Sequence, residues 1–418
     1  MERTILHCDC NSFFASVELL DYPELRSRPV AVCGDPKHHR GVILAKNEAA
    51  KAFNVTTGEA VFQALRKCPQ LVLLPPHHER YVAFSRRINQ LYGQYTSQVE
   101  PFGIDESWLD VTDSLHLFGS GKAIADELRR RVREELELTI SVGVSFCKIF
   151  AKLGSDYKKP DATTVISREN FREILYPLPA QAMLFVGQAA ARRLQRVGLR
   201  TIGDLAGAGE QTLVSLLGQS GHQLYRYVTG ADDDPVAEAG TARESRSIGK
   251  GMTFGRYLSD LAETKVQALW LSDQVAAQLR SAGLVCHTLQ VALRNPQLQT
   301  ITRQMTLERP TAMTHDLYLA ALQLIQRHWS YQDPIRMLTI TAQQLCPAEQ
   351  APVQLSIADL LHDGTPSETP ELVRQEKLES SLDQIRQRFG KTSVTFGRLV
   401  GQHDEDDEES IPDPQDRR

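Results

Sequence analysis

Residues 4–14 read TILHCDCNSFF and residues 99–111 read VEPFGIDESWLDV, and these two segments decide the expected fold. Each is a short, apolar, β-prone run that contains acids: Asp9 in the first, Asp105 and Glu106 in the second. A carboxylate is costly to bury there unless a cation or a hydrogen-bond donor meets it. Three oxygen ligands that converge from adjacent strands suit a pair of Mg²⁺ ions. The segments therefore predict the two-metal site of a phosphoryl-transfer enzyme.

The charge of the chain is unevenly distributed. The formal net charge is −5, but residues 404–418 carry eight acids against two arginines, so the other 403 residues sum to about +1. An acidic tail of this composition is typical of a disordered segment. The overall negative charge therefore does not exclude a nucleic-acid-binding surface elsewhere in the chain.

Cysteine usage and hydropathy indicate the compartment. The seven cysteines are scattered without a CxxC pair, and their odd number argues against a disulfide framework. We find no secretory leader pattern and no apolar run long enough to cross a membrane. These features predict a cytoplasmic protein without a membrane partner.

The order of predicted elements indicates several domains, because 418 residues are too many for a single core. Residues 3–166 follow the order strand, helix, strand, strand, helix, strand, which predicts a split βαβ, ferredoxin-like sheet with helices on one face. Residues 231–242 have the composition of a linker. From residue 243 a second pattern, βαββαβ, carries alternating basic and polar residues without an acidic triad. The predicted fold class is therefore multidomain α+β.

The helical region between these two patterns contains a candidate DNA-binding hairpin. Residues 187–199, GQAAARRLQRVGL, have the form of a helix-hairpin-helix. Gly187 would let backbone amides approach a phosphate, and three arginines add positive charge. The candidate DNA-binding residues of this hairpin and of the second pattern are Gly187, Arg192, Arg193, Arg196, Arg246, Lys250 and Arg294. An ordinary αα-hairpin and a plain structural domain are the alternatives.

Taken together, these segments resemble the Y-family of DNA polymerases, the translesion enzymes, and most closely its DinB branch, over roughly residues 3–345. The resemblance rests on three motifs in order: DCNSFFASVE at 9–18, GIDES at 103–107, and SVGVS at 141–145 with lysines following it. It implies a palm (1–10 and 77–166), small fingers (11–76), a helix-hairpin-helix thumb (167–230), a βαββαβ little finger (243–345) and a C-terminal extension (346–418).

The resemblance also implies roles for individual residues. Asp9, Asp105 and Glu106 would hold two Mg²⁺ ions, with the Cys10 carbonyl as a further ligand. The ions would promote attack of a primer 3′-hydroxyl on the α-phosphate of a dNTP. Phe14 matches the steric gate, the aromatic ring that excludes a ribose 2′-hydroxyl. The implied substrate-binding residues are Phe13, Phe14, Lys51 and Lys159.

The nucleotide pocket departs from the family pattern in one segment. Many relatives have Thr, Tyr and Arg where this chain has Ala45, Glu48 and Lys51. An acid beside a triphosphate is unfavourable unless it turns away or meets a cation. The contacts between this segment and the nucleotide are therefore expected to differ from those of the family, whereas the metal ligands are unaffected.

The expected partners follow from the same resemblance. They are primer–template DNA, dNTPs and a sliding clamp, which Gln354, Leu355 and Ile357 would bind; the protein is expected to be a monomer. The acids alone leave open a nucleotide cyclase that shares the palm, and a non-catalytic scaffold that binds DNA or a clamp. Within the family, a UmuC-like polymerase is the alternative.

Overall fold

The computed structural model describes residues 2–36, 40–241, 246–351, 370–390 and 393–399. The chain divides into two units, Met1–Ala242 and Arg243–Arg418. The strands of the first unit are β1 (Ile5–Cys10), β2 (Val30–Asp35), β3 (Arg40–Lys46), β4 (Val72–Leu74), β5 (Val99–Pro101), β6 (Glu106–Asp110), β7 (Ile140–Ser145) and β8 (Thr163–Ile166). Its helices are α1 (Phe13–Glu18), α2 (Glu48–Lys51), α3 (Val61–Lys67), α4 (His78–Tyr92), α5 (Leu115–Phe118), α6 (Gly121–Leu136), α7 (Lys148–Tyr157), α8 (Phe171–Leu175), α9 (Gln188–Arg196), α10 (Ile202–Ala208), α11 (Glu210–Leu217) and α12 (Gln219–Val228).

The main sheet of the first unit has the strand order β5-β6-β1-β7-β8, with β1 antiparallel to both β6 and β7. Strand β1 is buried along its whole length, and its side chains alternate between the two faces. Leu6, Cys8 and Cys10 share a core with residues of α4 and α6. His7 and Asp9 point to the other face, where they contact α7.

Helices therefore cover both faces of this sheet, and the prediction of helices on one face was wrong. Helix α7 packs so close to β7 at Gly143 that a Cβ there would lie only 1.9 Å from the Ala151 carbonyl oxygen. Only glycine permits this approach between a strand and a helix. The close packing brings the lysines of α7 and of the loop after it to the acidic end of β1.

A smaller sheet of order β3-β2-β4 carries the segment that departs from the family pattern. Asn47 begins α2: its side-chain oxygen accepts hydrogen bonds from the amides of Ala50 and Val30, both at 3.0 Å. Its side-chain amide donates to the Arg28 carbonyl at 2.7 Å. This cap fixes α2, which carries Glu48 and Lys51, against the sheet.

Residues 231–241 have the composition of a linker but pack against the first unit. Val236 is 2% exposed and belongs to a core cluster with Trp108. The Glu100 carboxylate accepts hydrogen bonds from Lys148 Nζ at 2.6 Å and from the Ala237 amide at 3.0 Å. Long-range contacts of this kind override the local composition, which is rich in Asp and Ala.

The second unit consists of a four-stranded antiparallel sheet with helices on one face. Its elements are β9 (Ser247–Leu258), α13 (Leu261–Ser281), β10 (Leu284–Arg294), β11 (Thr300–Thr311), α14 (Thr314–His328), β12 (Ile335–Pro347) and α15 (Pro370–Phe389). The strand order is β11-β10-β12-β9. The βαββαβ pattern and the α+β fold class are thus confirmed. Leu289, Val291 and Ile340 face the helices in one core.

Helix α15 is held against α13 by ion pairs and against α14 by hydrogen bonds. Arg280 Nε lies 2.6 Å from an Asp383 oxygen, and Arg386 Nη1 lies 2.9 Å from Asp273. Glu379, buried on α15, accepts a hydrogen bond from the backbone amide of Thr314 at the start of α14. Among the described residues, no helix is long and apolar enough to cross a membrane.

Candidate active site

The three predicted carboxylates lie at one end of the main sheet. Asp9 on β1 is directly opposite Glu106 on β6 in the antiparallel register. Asp105 is the residue before β6, and its carbonyl accepts a hydrogen bond from the Cys10 amide at 2.9 Å. Directly opposed residues of an antiparallel pair project to the same face. The backbone register therefore brings the acids of two distant segments together.

Two lysines meet these carboxylates. Lys152, on α7, places Nζ 3.0 Å from Asp9 Oδ2 and 2.7 Å from Glu106 Oε2. Lys159, two residues beyond α7, places Nζ 2.8 Å from Asp9 Oδ2. Burial opposes the charged form of both lysines, but the nearby carboxylates Asp9 and Asp156 outweigh it and raise the pKa of each. The carboxylates thus have counter-charges even without a metal ion.

The pKa values of the two adjacent acids Asp105 and Glu106 are shifted in opposite directions. Burial, together with the charges of Asp9 and Glu106, raises the pKa of Asp105 to about 6. For Glu106, burial acts in the same direction but is outweighed by His7 and Lys152, which lower its pKa to about 2. Like charges held close together are expected to separate in this way. The Asp105 carboxylate is the one for which a cation would relieve the most repulsion.

His7 and Lys152 are members of the site that the sequence reasoning missed. His7 is fully buried, with Nδ1 2.8 Å from Ser155 Oγ and Nε2 3.3 Å from Glu106 Oε2. Ligand atoms of His7, Asp9 and Glu106 all lie within 4.8 Å of one another. Strand alternation is the signal that could have identified His7, since it precedes Asp9 by two residues and shares its face. Lys152 is one of the lysines after the SVGVS motif that carry the resemblance, but sequence reasoning gave it no role in the site.

A cavity of about 420 Å³ opens beside the carboxylates. It is lined by Asp9, Cys10, Asn11, Ser12, Phe13, Leu44, Ala45, Lys46, Glu48, Lys51, Thr57, Asp105, Glu106, Lys152 and Lys159. The structure therefore brings all the predicted metal ligands together with Phe13, Lys51 and Lys159. Sequence reasoning missed Lys46 and Thr57 as members of this site.

Phe14, the predicted steric gate, adjoins Phe13 but is not among the residues that line this cavity. Its ring stacks on that of Tyr81, with 4.1 Å between the centroids and an interplanar angle of 11°. The Tyr81 hydroxyl donates a hydrogen bond to Glu18, which is 1% exposed. The ring of Phe14 therefore rests on a side chain that is itself anchored in the core.

The predicted DNA-binding residues of the thumb are accessible. Gly187 is the N-cap residue of α9, and Arg192, Arg193 and Arg196 are exposed. Arg193 also donates a hydrogen bond to the Leu216 carbonyl at 2.8 Å. Three exposed arginines on one short helix form a basic surface.

The predicted residues of the second unit do not share one face. Arg246 is exposed just before β9. Lys250 is directly opposite the core residue Ile340, so it lies on the face of the sheet that the helices cover. Arg294 follows the core residue Leu293 and lies on the open face, where its Nε donates to Thr300 Oγ1 at 2.8 Å. The clamp residues Gln354, Leu355 and Ile357 are outside the described residues.

The donor set fits a divalent metal ion. Three carboxylates meet at one end of a sheet, and burial, together with the charges of Asp9 and Glu106, raises the pKa of Asp105. Hard oxygen donors are the preferred ligands of Mg²⁺, which commonly binds one or two carboxylates together with substrate phosphates. The fold and this site together are those expected of a metal-dependent phosphoryl-transfer enzyme whose palm is a mixed sheet, with β8 parallel to β7.

Comparison with known proteins gives the family. The model of the impB/mucB/samB family matches residues 8–156, and that of the family's C-terminal domain matches residues 245–357. The chain is 41% identical over 400 residues to the DNA polymerase IV of Acetivibrio thermocellus, covering 96% of this chain and 98% of that protein. It is 34% identical over 400 residues to DNA polymerase IV 1 of Bacillus subtilis, covering 95% and 93%.

A solved structure has the same fold. A chimeric Y-family DNA polymerase aligns with a TM-score of 0.72 at 22% identity, covering 82% of this chain and 98% of that chain. The chain belongs to the impB/mucB/samB family and, within it, to the Y-family polymerases of the DNA polymerase IV type. It is a template-directed, low-fidelity DNA polymerase of translesion synthesis, so primer–template DNA and dNTPs are its substrates. The family requires a divalent metal, and the cyclase and scaffold alternatives are not favoured.

Proposed function

We propose that Asp9, Asp105 and Glu106 bind two Mg²⁺ ions and that the polymerase reaction takes place beside them. The observation that carries this proposal is the register of β1 and β6, which places Asp9 opposite Glu106. The cavity of about 420 Å³ next to them holds the fingers and palm lysines that a triphosphate needs. The Cys10 carbonyl is the further ligand that we assign, because Cys10 lines the same cavity.

The protein residues have distinct tasks in this mechanism. When bound, the two metal ions supply Lewis-acid activation of the primer 3′-hydroxyl and offset charge on the pyrophosphate. Lys152 holds the carboxylates of Asp9 and Glu106 in place through contacts of 3.0 and 2.7 Å. Lys159 and Lys51 bind the triphosphate as point charges on flexible stems. Phe13 and Phe14 form the adjoining aromatic wall, and Phe14 acts as the steric gate.

Primer extension tests the metal-site proposal. We expect the wild type to add a templated dNTP with Mg²⁺, with a sigmoidal dependence on Mg²⁺ concentration. Glu106→Ala should lower the rate on the order of a thousandfold, because metal charge stabilisation is worth several kcal/mol. Its affinity for primer–template should stay within about threefold. Glu173→Ala changes an exposed acid on α8 and should extend normally. Extension by Glu106→Ala at the wild-type rate would contradict the proposal.

Ribonucleotide insertion tests the steric gate separately. Phe14→Val replaces the ring that we place against the sugar with a smaller side chain. Discrimination against rNTPs should therefore fall by at least about tenfold, while dNTP insertion persists. Phe62→Val is a matched control, since Phe62 is 56% exposed on α3 and the proposal gives it no contact with the sugar. An unchanged ratio of dNTP to rNTP insertion in Phe14→Val would assign the gate to another residue.

We further propose how the polymerase meets its partners. Gly187, Arg192, Arg193 and Arg196 contact the phosphates of primer–template DNA, and Arg246 and Arg294 of the second unit are further phosphate contacts. Lys250 receives no such role, because it lies on the face that the helices cover. The exposure of the three thumb arginines supports this assignment. A sliding clamp binds Gln354, Leu355 and Ile357, and the protein acts as a monomer in the cytoplasm. Clamp-dependent processivity that is lost in Gln354→Ala would test the clamp assignment.

A further inference from the structure

The side chains that line the active-site cavity are balanced in formal charge. The acids are Asp9, Glu48, Asp105 and Glu106, and the lysines are Lys46, Lys51, Lys152 and Lys159. Two divalent ions and a triphosphate bring charges that cancel each other. The loaded site therefore stays balanced only while all four lysines carry their positive charge, because Glu48 adds a fourth acid on the fingers side.

Three of these lysines already have carboxylate partners. Lys152 and Lys159 contact Asp9, and Lys51 Nζ lies 3.5 Å from Glu48 Oε2. Lys46 differs: among the described residues, its side-chain hydrogen bond goes to a neutral group, the Thr57 hydroxyl, at 3.2 Å. Lys46 is therefore the cavity lysine whose charge an incoming anion can best use.

The backbone fixes where Lys46 lies. Lys46 is the last residue of β3, paired in register with Ala31, and the capped residue Asn47 follows it. The Asn47 amide donates to the Val30 carbonyl at 3.0 Å, which ties the end of β3 to β2. Lys46 thus extends from a rigid strand end into the cavity, whereas Lys51 stands on a four-residue helix.

The local electrostatics favour an anion beside Lys46. Burial, followed by repulsion from Lys51, lowers the pKa of Lys46 in spite of the attraction of Glu48 and Glu59. The charge of this ammonium group is therefore incompletely stabilised, mainly because burial removes water from it, and this leaves an electrostatic deficit. A phosphate oxygen would correct this deficit, and a lysine suits a single phosphate oxygen as a point charge.

We propose that Lys46 is a triphosphate-binding residue that offsets the charge of Glu48, in addition to Lys51 and Lys159. Its target is the part of the triphosphate that leaves as pyrophosphate. Thr57 holds the Lys46 side chain towards the cavity until the nucleotide binds. This inference rests on the proposed function, since it requires the triphosphate to occupy this cavity.

A charge-compensation cycle tests the inference. Lys46→Gln should raise the KM for dNTP on the order of tenfold, change kcat little, and weaken inhibition by inorganic pyrophosphate by a similar factor. Lys46→Arg should keep KM within about threefold of the wild type. Glu48→Gln should lower KM, and the double variant Lys46→Gln/Glu48→Gln should return close to the wild-type value. A purely structural role for Lys46 would not produce this compensation.

Lys67→Gln is the matched control. Lys67 belongs to the same small domain but pairs with Glu59 at 2.6 Å and does not line the cavity. Its KM for dNTP should equal that of the wild type. A KM for Lys46→Gln within twofold of the wild type, or a double variant no better than Lys46→Gln, overturns the inference. If Glu106→Ala still extends primers, the metal-site proposal fails independently of the Lys46 result.

Discussion

The two larger sheets of this protein, one mixed and one antiparallel, distribute their polar residues in opposite ways. The main sheet of the first unit has helices on both faces and concentrates charge at one end, around Asp9 and Glu106. The sheet of the second unit has helices on one face and spreads mainly neutral polar groups over the other, with Arg294 among them. There, Gln343 donates a hydrogen bond to Gln290 across the strands at 3.0 Å.

This difference fits the proposal of a catalytic surface in the first unit and a DNA-contact surface in the second. Buried charges held close together are unfavourable until a ligand neutralises them, so they preorganise a site at the expense of stability. Neutral polar groups on the open face of a sheet reduce the stability of the fold little, and they can be substituted with small effects. On this second surface, Gly249 and Gly251 leave room for the threonines opposite them on β12. A Cβ at Gly249 would lie 2.7 Å, and one at Gly251 2.4 Å, from a threonine hydroxyl. We therefore expect substitutions in the two sheets to have effects of very different size.

The largest effect should come from Asp105→Asn, with opposite signs for activity and stability. Loss of a metal-binding carboxylate should reduce extension on the order of a thousandfold. An acid with a raised folded-state pKa loses stability as pH rises, here from its ordinary value of 3.8 through about 6. At pH 7 without metal, the variant should be more stable than the wild type by on the order of 2 kcal/mol. Thermal unfolding between pH 4 and 7 measures this, and the difference should close towards pH 4.

Asp113→Asn is the control for that prediction, because it changes an exposed acid shortly after β6. It should alter neither extension nor the pH dependence of unfolding. Equal stability of Asp105→Asn and the wild type at pH 7 would mean that neither burial nor the neighbouring carboxylates oppose ionisation of Asp105.

The double change Arg192→Ala/Arg196→Ala should have the next largest effect. Removing two phosphate contacts should weaken primer–template binding by roughly tenfold and reduce the slope of log K against log salt by about two. The rate at saturating DNA should change little. Arg130→Ala is the control, since Arg130 is paired with Glu127 and Glu134 on α6. Fluorescence anisotropy at several salt concentrations gives both slopes, and equal slopes would exclude the thumb arginines as phosphate contacts.

Glu379→Ala should destabilise the second unit. The change removes a buried carboxylate that accepts from the Thr314 amide and pairs with Arg280, so it leaves buried donors without a partner. Such losses typically amount to about 2–3 kcal/mol. Glu376→Ala, at an exposed position on the same helix, should stay within about 0.5 kcal/mol. Denaturant unfolding gives the free energy of unfolding of both variants. A fall in the dNTP insertion rate of Glu379→Ala at low temperature, where the protein stays folded, would instead assign Glu379 a role in the reaction.

The smallest effect should be a gain in stability from Phe185→Gly. Phe185 has φ 68° and is 68% exposed, so it adopts a left-handed backbone conformation with little packing in return. Glycine should relieve about 1 kcal/mol of strain. Val197→Gly is the opposite control, because Val197 has φ −103° and glycine should destabilise there. A lower denaturation midpoint for Phe185→Gly would show that the ring contributes packing that outweighs the strain.

Much of the fold and the core of the site could be predicted from the sequence. Alternation and apolar runs located β1, β6 and the second βαββαβ pattern, and the motifs around Asp9 and Asp105 indicated a metal site. The side of the sheet on which α7 packs could not be predicted, because it depends on the close approach at Gly143. Neither could the packing of Val236, which lies in a segment with the composition of a linker.

The sequence by itself determined which residue types are present at strand ends and helix starts, because alternation, capping and backbone preferences act over a few residues. Only the tertiary structure decided which of them meet. The β1–β6 register places Asp9 opposite Glu106, the packing of α7 brings Lys152 to both, and the end of β3 turns Lys46 into the same cavity. These contacts join segments that are far apart along the chain, and local periodicity carries no information about the distance between such segments.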